Sequence, residues 1–126
     1  MLSLVVVPRV ASATDVVRVC SHNRLGGQFY CGGPYGETGE AWHTYPNGAQ
    51  QIFVVGLDHS VWTRDSGSGR WSDWGSYSGQ LYSGVRTSNS NEWIYSIAAI
   101  GSHNRWWYRD RQNDGWTNWH MSGWLD

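Results

Sequence analysis

The sequence predicts an all-β protein of antiparallel strands, and three observations support this. Apolar residues show no helical periodicity. Short alternating runs typical of strands are separated by turn-forming residues, including sixteen glycines. A long segment also recurs at a fixed spacing of 45 residues, which indicates one structural unit used more than once. The recurring residues are Trp62, Arg64, Trp71 and Trp74, which return as Trp107, Arg109, Trp116 and Trp119.

The predicted strands follow from β-type runs bounded by turn residues. They cover residues 15–20, 28–31, 40–45, 51–56, 81–87 and 92–100. Two hairpins join them, at 61–74 and 106–119, and in each the returning strand is expected to carry the second tryptophan pair. Pro46-Asn47-Gly48 predicts a tight turn, because Asn-Gly accepts the positive φ that such turns require.

The repeat extends beyond the two hairpins. Residues 97–101 follow 52–56 at the same spacing, and the tetrapeptide at 21–24 returns intact at 102–105. Three copies result: a divergent first, a second without an opening strand, and a complete third. A complete copy predicts a four-stranded antiparallel unit with the layout of a propeller blade.

The motifs of these copies resemble a known group. An apolar strand is followed by Gly-x-Asp-x-x-x-Trp at 56–62 and by Gly-x-Trp-Ser-x-Trp at 69–74. This pattern resembles the blades of tectonin- and tachylectin-type β-propeller lectins, and among them it is closest to the bacterial seven-bladed lectins that bind fucose or galactose derivatives. The resemblance covers residues 50–120 and implies ligand sites between adjacent blades. The first copy departs from the pattern.

The number of repeats sets a condition on the fold. Single-chain propellers usually have 4–8 blades, whereas this chain offers two to three. Lone repeats expose strand edges and apolar faces. We therefore expect propeller-type blades completed by homo-oligomerisation or by compact self-closure. A fragment of a longer propeller is the third alternative.

Composition and motifs exclude several classes of function. The net charge is −1 and no basic patch is present, so we expect no binding to nucleic acid. No apolar run approaches the ~20 residues of a spanning helix, so an integral membrane protein is not expected. No phosphate loop, dinucleotide motif or zinc pattern occurs, so neither a cofactor nor a metal is predicted. Nothing brings two of the three glutamates together, and we expect no enzymatic activity.

The N-terminal segment predicts export. An apolar run leads to Ala11-Ser12-Ala13, which fits a signal-peptidase site. Residues 1–13 are therefore interpreted as the remnant of a signal peptide, and 14–126 as a single all-β repeat domain. In a secreted protein Cys20 and Cys31 are candidates for a disulfide, whereas in a reducing compartment they would be two small buried residues.

The candidate ligand-binding residues are the repeated aromatic and cationic side chains. Trp62 and Arg64 lie on one face of a strand because side chains alternate with a period of two, and Trp107 and Arg109 repeat the pair. An indole stacks on the apolar face of a sugar, while a guanidinium binds its hydroxyl groups. Two further residues complete the candidate set, and these are Trp71 and Trp116.

Each of these residues also has a structural interpretation. Packing between blades itself requires large aromatic rings, and an arginine beside a tryptophan forms a stacked pair without any ligand. The hypothesis is a secreted lectin that recognises fucose-, galactose- or hexosamine-type sugars. The alternative is a protein-interaction or enzyme-inhibitor module that uses the same surface, since Trp, Tyr and Arg dominate interface hot spots.

Overall fold

A computed structural model of the chain describes residues 18–21, 25–31, 39–88 and 92–121. Within these ranges the fold is all-β with antiparallel sheets, which confirms the predicted class at that level. Helical structure there amounts to a single 3₁₀ turn at Ser102–Asn104, so no described helix has the length needed to cross a membrane. The predicted signal-peptide remnant at 1–13 lies outside the described residues.

The described strands form two sheets. The first sheet has the order β1-β2-β4-β5-β6, with β3 also paired to β4, and the second has the order β10-β9-β8-β7. The strands are β1 Arg18–Ser21, β2 Gln28–Cys31, β3 Ala41–Thr44, β4 Gln50–Gly56, β5 Val61–Asp65, β6 Gly75–Ser76, β7 Arg86–Thr87, β8 Tyr95–Gly101, β9 Arg105–Gln112 and β10 Gly115–Trp116.

The 45-residue spacing reappears in the strand register. Ile52 pairs with Arg64 between β4 and β5, and Ile97 pairs with Arg109 between β8 and β9. The opening strands obey the same rule, since β3 pairs with β4 as β7 pairs with β8. The prediction that the second copy lacks an opening strand was therefore wrong, because β3 fills that place. The repeat detected in the sequence is therefore also a repeat of backbone hydrogen bonding.

Four predicted strands were wrong in extent. The strand predicted at 92–100 begins at Tyr95, and the returning strand of the hairpin at 106–119 ends at Trp116, before Trp119. The other two differ further. Trp71 and Trp74 precede β6, because Ser72 donates its backbone N–H to Asp65 O (2.8 Å) in a loop rather than in a ladder. Residues 81–87 are strand only at 86–87, with Leu81 in an isolated bridge. Between them the Ser83 hydroxyl accepts the N–H of Ile100 at 2.9 Å, in the place of a ladder carbonyl.

The core lies on both faces of β4. One face packs against the second sheet in a group of side chains that we call the central cluster, and the other contributes to the outer cluster. Burial on both faces explains why β4 reads as a nearly continuous apolar run. The central cluster is Ala41, Tyr45, Phe53, Val55, Val61, Leu81, Val85, Tyr95, Ile97 and Ala99. The outer cluster is Phe29, Cys31, Ile52 and Val54.

Two glycines support the repeated tryptophans. A Cβ atom on Gly56 would lie 2.7 Å from Cδ1 of Trp62, and one on Gly101 would lie 2.6 Å from Cδ1 of Trp107. These distances are well inside van der Waals contact, so no side chain fits between backbone and indole. Close packing, and not an unusual backbone angle, requires glycine at both positions.

Candidate functional site

The two sheets create two equivalent places where a connecting segment meets a tryptophan-bearing face. At the first junction residues 25–29 meet the outer face of the first sheet. At the second junction residues 77–81 meet the corresponding face of the second sheet. The correspondence is seen in the pairing, because Phe29 pairs with Gly56 as Leu81 pairs with Gly101.

The predicted arginines hold both junctions through backbone carbonyls. Nε of Arg64 donates to Ser72 O at 2.6 Å, and Nε of Arg109 donates to Thr117 O at 2.7 Å. Each guanidinium thereby ties its strand to the loop that follows. The two donors are 45 residues apart and so are the two acceptors, so the contact belongs to the repeat.

The second nitrogen of each arginine reaches the connecting segment. Arg64 donates through Nη1 to Leu25 O, and Arg109 donates through Nη1 to Tyr77 O at 2.8 Å. The stacking differs, since Cζ of Arg64 lies 5.3 Å from the ring centroid of Trp74, whereas Cζ of Arg109 lies 5.0 Å from that of Tyr77. Both side chains therefore act as clamps between copies, and contact with a ligand stays a prediction.

Trp74 and Trp119, which we call the outer tryptophans, show how the first junction, with Leu25, differs from the second, with Tyr77. Nε1 of Trp119 donates to Tyr77 O at 3.3 Å. Nε1 of its counterpart, Trp74, is buried and has no hydrogen-bond partner among the described residues. The backbone of Gly27 faces this nitrogen, because a Cβ built there would lie 3.5 Å from it. One junction is thus satisfied and the other leaves a donor unpaired.

A cavity of about 420 Å³ lies at the first junction. We call it the indole pocket. It is lined mainly by apolar and aromatic side chains, with glycine backbone at one edge. Its lining includes Phe29, Val54, Leu57, Asp58, Trp62 and Trp74, together with Gly26 and Gly27.

The indole pocket contains one residue predicted from the sequence. Nε1 of Trp62 donates to Oδ1 of Asp58 at 3.0 Å, which fixes the indole against the β4–β5 turn. That hydrogen bond, followed by one from the N–H of Ser60, lowers the pKa of Asp58 below its ordinary value. The exposed carboxylate is therefore ionised at neutral pH and places a negative charge at the edge of the pocket.

A second cavity, of about 340 Å³, lies where the two sheets meet. We call it the Trp116 groove. The β3–β4 turn, the end of β5 and the β9–β10 hairpin form it, so both copies contribute. Its lining includes Tyr45, Asn47, Gln50, Gln51, Asp65, Tyr77, Trp93, Arg111 and Trp116.

Edge contacts hold the indole of Trp116 in place. Its ring centroid lies 5.4 Å from that of Tyr77, 5.4 Å from that of Tyr95 and 5.8 Å from that of Phe53, at steep interplanar angles. T-shaped contacts of this kind stabilise aromatic pairs beyond simple burial. The groove therefore has a rigid aromatic wall.

Polar side chains surround that wall. Arg111 donates through Nη1 to Trp93 O at 2.9 Å, and its Cζ lies 5.1 Å from the ring centroid of Tyr45. Tyr45 donates its hydroxyl to Oε1 of Gln51 at 2.5 Å, and burial raises its pKa, so the phenol stays neutral. Asp65 accepts the N–H of Gly67 at 3.0 Å. A cation, a carboxylate and amide groups are thus held beside aromatic faces.

The structure does not bring the six predicted ligand-binding residues into one site. Trp62 lines the indole pocket and Trp116 lines the Trp116 groove, as described above. Trp71 makes a T-shaped contact with Trp42 at 5.7 Å. Trp107 packs against the central cluster and donates through Nε1 to the carbonyl oxygen of residue 102 at 3.3 Å.

Sequence reasoning missed most of the polar residues of the Trp116 groove. Gln51 carries a weak signal, since it stands at the start of the most apolar strand of the chain. Asp65 follows Arg64 in a pair that recurs as Arg109-Asp110. Trp93 and Arg111 carry no signal, because only the packing of both side chains against Tyr45 brings them near the first sheet.

The two cysteines are joined by a disulfide in the hairpin of β1 and β2. Their Cα atoms lie 5.9 Å apart, a separation typical of disulfides. The link closes the hairpin next to the first junction, where Cys31 belongs to the outer cluster.

One cluster contains the three residue types of a hydrolytic triad in an unproductive order. Ser96 donates to Oδ1 of Asp110 at 2.5 Å, and Nε2 of His120 lies 2.8 Å from Oδ2 of the same carboxylate. The carboxylate stands between the other two groups, so the imidazole does not contact the hydroxyl that it would have to deprotonate.

No group of three or more metal-ligating side chains occurs within the described ranges. In comparisons with known proteins, no family model matches this chain, and no curated protein sequence matches it either.

Proposed function

We propose that the protein is a non-catalytic carbohydrate-binding protein and that the Trp116 groove is its sugar site. One observation carries the proposal: a single groove between two repeats combines a fixed indole with phenol rings, a guanidinium, a carboxylate and amides. A pocket with aromatic walls and a few oriented polar groups is a common design for a site that binds a small ligand.

The chemistry of the groove matches that of a pyranose. A sugar has one face of C–H groups, which stacks on Trp116, and a rim of hydroxyls. Arg111 supplies donors for that rim, and Asp65 supplies acceptors. The volume of about 340 Å³ lies at the small end of the range for ligand pockets, which is about 300–1,000 Å³. The ligand in this proposal is therefore a monosaccharide unit of the fucose, galactose or hexosamine type.

The proposal includes the wider architecture that the sequence resemblance implies. The two sheets act as propeller-type repeats, completed by homo-oligomerisation or by compact self-closure. Several weak sites in one assembly then raise the overall avidity for a glycan. Native mass spectrometry with and without the sugar measures the number of chains and the ligand stoichiometry together.

The proposed location is extracellular. The disulfide between Cys20 and Cys31 supports it, because disulfides persist in oxidising compartments. Secretion also brings a lectin into contact with surface glycans.

A protein partner is the alternative occupant of this surface. Two exposed apolar residues favour it: Trp93, with an exposed fraction of 47%, lines the groove, and the adjacent Ile94 has 51% exposed. Exposed aromatic residues next to an arginine are typical of interface hot spots. In that case a captured protein is not released by sugars.

Titration of the indole N–H signals in a ¹H–¹⁵N spectrum tests the proposal. L-fucose, D-galactose and N-acetylglucosamine are added separately at millimolar concentrations. At least one is expected to shift the Trp116 signal in a saturable manner. The variant Trp116→Phe identifies that signal and weakens binding by removing the larger stacking surface.

The repeat provides a matched control. Trp71 is the counterpart of Trp116 at the 45-residue spacing and lies outside the groove, so Trp71→Phe should bind the sugar as the native chain does. If none of the three sugars produces a saturable shift, or if both variants lose binding equally, the groove is not the sugar site.

A further inference from the structure

The Trp116 groove contains a second indole that the fold leaves largely exposed. Trp93 lines the groove, and its exposed fraction is 47%. Burial of so large an apolar side chain normally stabilises a fold, so packing alone does not explain its exposure. A ligand bound in the groove would cover the same surface.

The repeat does not account for this tryptophan. At the 45-residue spacing the counterparts of Trp93 and Ile94 are Gly48 and Ala49, in the turn between β3 and β4. The two strands pair around that turn without any indole at the equivalent position. The apolar pair is therefore an addition of the second copy, and of its two members Trp93 is the one that lines the groove.

The backbone around Trp93 is held from two sides. Its carbonyl oxygen accepts from Nη1 of Arg111 at 2.9 Å, and the preceding carbonyl, of Glu92, accepts from Nε2 of His43 at 2.7 Å. The indole packs against Tyr45, with ring centroids 5.4 Å apart and the planes inclined by 32°. The exposed part of the indole lies away from this contact. A ligand thus meets a prearranged surface and loses little free energy in ordering it.

Aromatic rings connect the two indoles of the groove. The ring centroid of Tyr45 lies 5.4 Å from that of Trp93 and 5.8 Å from that of Tyr95. The ring of Tyr95 in turn contacts Trp116, at 5.4 Å. The two indoles are therefore the ends of one row of rings and belong to one cavity.

A polar side chain of the groove remains available for a second contact. Asn47 lines the groove, and its Oδ1 accepts the N–H of Ala49 at 3.0 Å. This hydrogen bond fixes the amide, and the side-chain NH₂ group stays able to donate to a ligand. The groove thus offers two indoles and polar groups beyond those that contact a single sugar.

The inference from these contacts rests on the proposed function and concerns the size of the ligand. A glycosidic bond places a second sugar unit directly beside the first, with its own face of C–H groups. We propose that the Trp116 groove binds an oligosaccharide. The terminal unit stacks on Trp116 and the next unit stacks on Trp93, with Asn47 as a donor to its hydroxyls.

Three matched pairs of sugars test the proposal on the full chain. Each pair combines a monosaccharide with an oligosaccharide that carries it at the non-reducing end. The pairs are D-galactose with lactose, N-acetylglucosamine with N,N′-diacetylchitobiose, and L-fucose with 2′-fucosyllactose. In at least one pair the oligosaccharide should bind about threefold to tenfold more tightly, the effect of one further stacking contact. It should also shift the indole N–H signal of Trp93, which Trp93→Phe identifies.

Two neighbouring variants separate the second indole from general surface effects. In Trp93→Ala the ratio of the two affinities should fall to about one. Both hydrogen bonds of this segment use backbone carbonyls, which alanine keeps. Ile94→Ala is the matched control, because Ile94 is 51% exposed and lies outside the groove lining, so the ratio should be unchanged. A protein interface would use both apolar side chains, whereas a sugar uses the indole.

The outcomes distinguish this inference from the proposed function. If a monosaccharide shifts the Trp116 signal but no oligosaccharide binds more tightly, the second unit is not bound and only this inference is overturned. It is also overturned if the gain persists in Trp93→Ala or is lost equally in Ile94→Ala. If none of the six sugars gives a saturable shift, both proposals fail. Should Trp93→Ala not fold, the Trp93 signal of the native chain decides, and an oligosaccharide that leaves it unshifted overturns the inference.

Discussion

At the second junction Tyr77 occupies the position that Leu25 holds at the first. The backbone frame is shared, since both residues present a carbonyl to the arginine of the following copy. The tyrosine ring also contacts Phe53 and Trp116, with centroids at 6.2 Å and 5.4 Å. The leucine has no ring for such contacts, and a cavity of about 420 Å³ remains at the first junction.

The comparison of the junctions separates residues that maintain the repeat from residues that determine where a ligand fits. The clamp formed by arginine and carbonyl is present at both junctions and therefore belongs to the repeat itself. The side chain beside the clamp differs between the junctions, since it is Leu25 at the first and Tyr77 at the second. Positions that repeat maintain the architecture, whereas the side chains that differ between copies decide where a ligand fits.

The largest expected effect is a loss of stability, and it is compared at two isoleucines in equivalent positions of the repeat. Ile97 lies in the central cluster and Ile52 in the outer cluster, and both are fully buried. Replacement by alanine should lower the free energy of unfolding by about 2–5 kcal/mol. We expect Ile97→Ala at the upper end, because the walls beside Ile52 can relax toward the indole pocket. Urea denaturation measures both, and an equal or larger loss for Ile52→Ala would contradict the comparison.

The arginine clamps should give the next largest effect. Arg64→Lys and Arg109→Lys each replace a planar group with two bound nitrogens by a single ammonium group. We expect each variant to lose about 1–3 kcal/mol of unfolding free energy, since partly buried carbonyls lose their donors. Arg70 is exposed, and Arg70→Lys is the control. If stability is unchanged while sugar binding disappears, the guanidinium contacts the ligand, as the sequence predicted.

The outer tryptophans should give a smaller difference. Trp119→Phe removes a hydrogen bond to Tyr77 and should cost about 1 kcal/mol beyond the loss of packing. Trp74→Phe removes a donor that has no partner, so only the packing loss is expected. Thermal unfolding of the pair in parallel measures the difference. Equal losses would show that the indole nitrogen of Trp74 is satisfied in solution.

At neutral pH the smallest effect on stability is expected for a buried histidine of β3. His43 is buried, stacks on Tyr95 at 3.6 Å, and its Nε2 donates to Glu92 O at 2.7 Å. Burial lowers its pKa below the ordinary value of 6.5. The unfolded chain binds the proton more readily, so stability is intact above about pH 6.5 and falls as the pH decreases below it.

Melting temperatures between pH 8 and pH 5 measure this effect. The variant His43→Gln keeps a donor for the carbonyl and does not titrate, so its melting temperature should fall less steeply below pH 6.5. Parallel curves for the two proteins would show that protonation of His43 does not oppose folding.

The repeat spacing predicted the central strand pairs of both sheets, but not the extent of the returning strands in the hairpins at 61–74 and 106–119. The pairing of β4 with β5 and of β8 with β9 follows the 45-residue spacing, because identical strand patterns impose the same register. The turn at Pro46-Asn47-Gly48 is confirmed, with the N–H of Gly48 bonded to Tyr45 O at 2.8 Å. Local chemistry and repetition were sufficient for these elements.

The candidate site was harder to predict from the sequence than the strand pairing. The connecting segments at 25–29 and 77–81 share little beyond backbone geometry, so their equivalence emerges only from the pairing of Phe29 and Leu81. Arg111 joins the Trp116 groove through a contact with Tyr45 that crosses between sheets. Side chains 66 positions apart carry no shared pattern that would link them.

The two glycines beneath the inner tryptophans constrain how this protein can diverge. Gly56 and Gly101 leave no space for a methyl group under Trp62 and Trp107, so a larger residue at either glycine displaces the indole above it. A glycine six residues ahead of a tryptophan occurs in both copies, so the seat of the indole is itself part of the repeated unit and any redesign of one copy has to respect it.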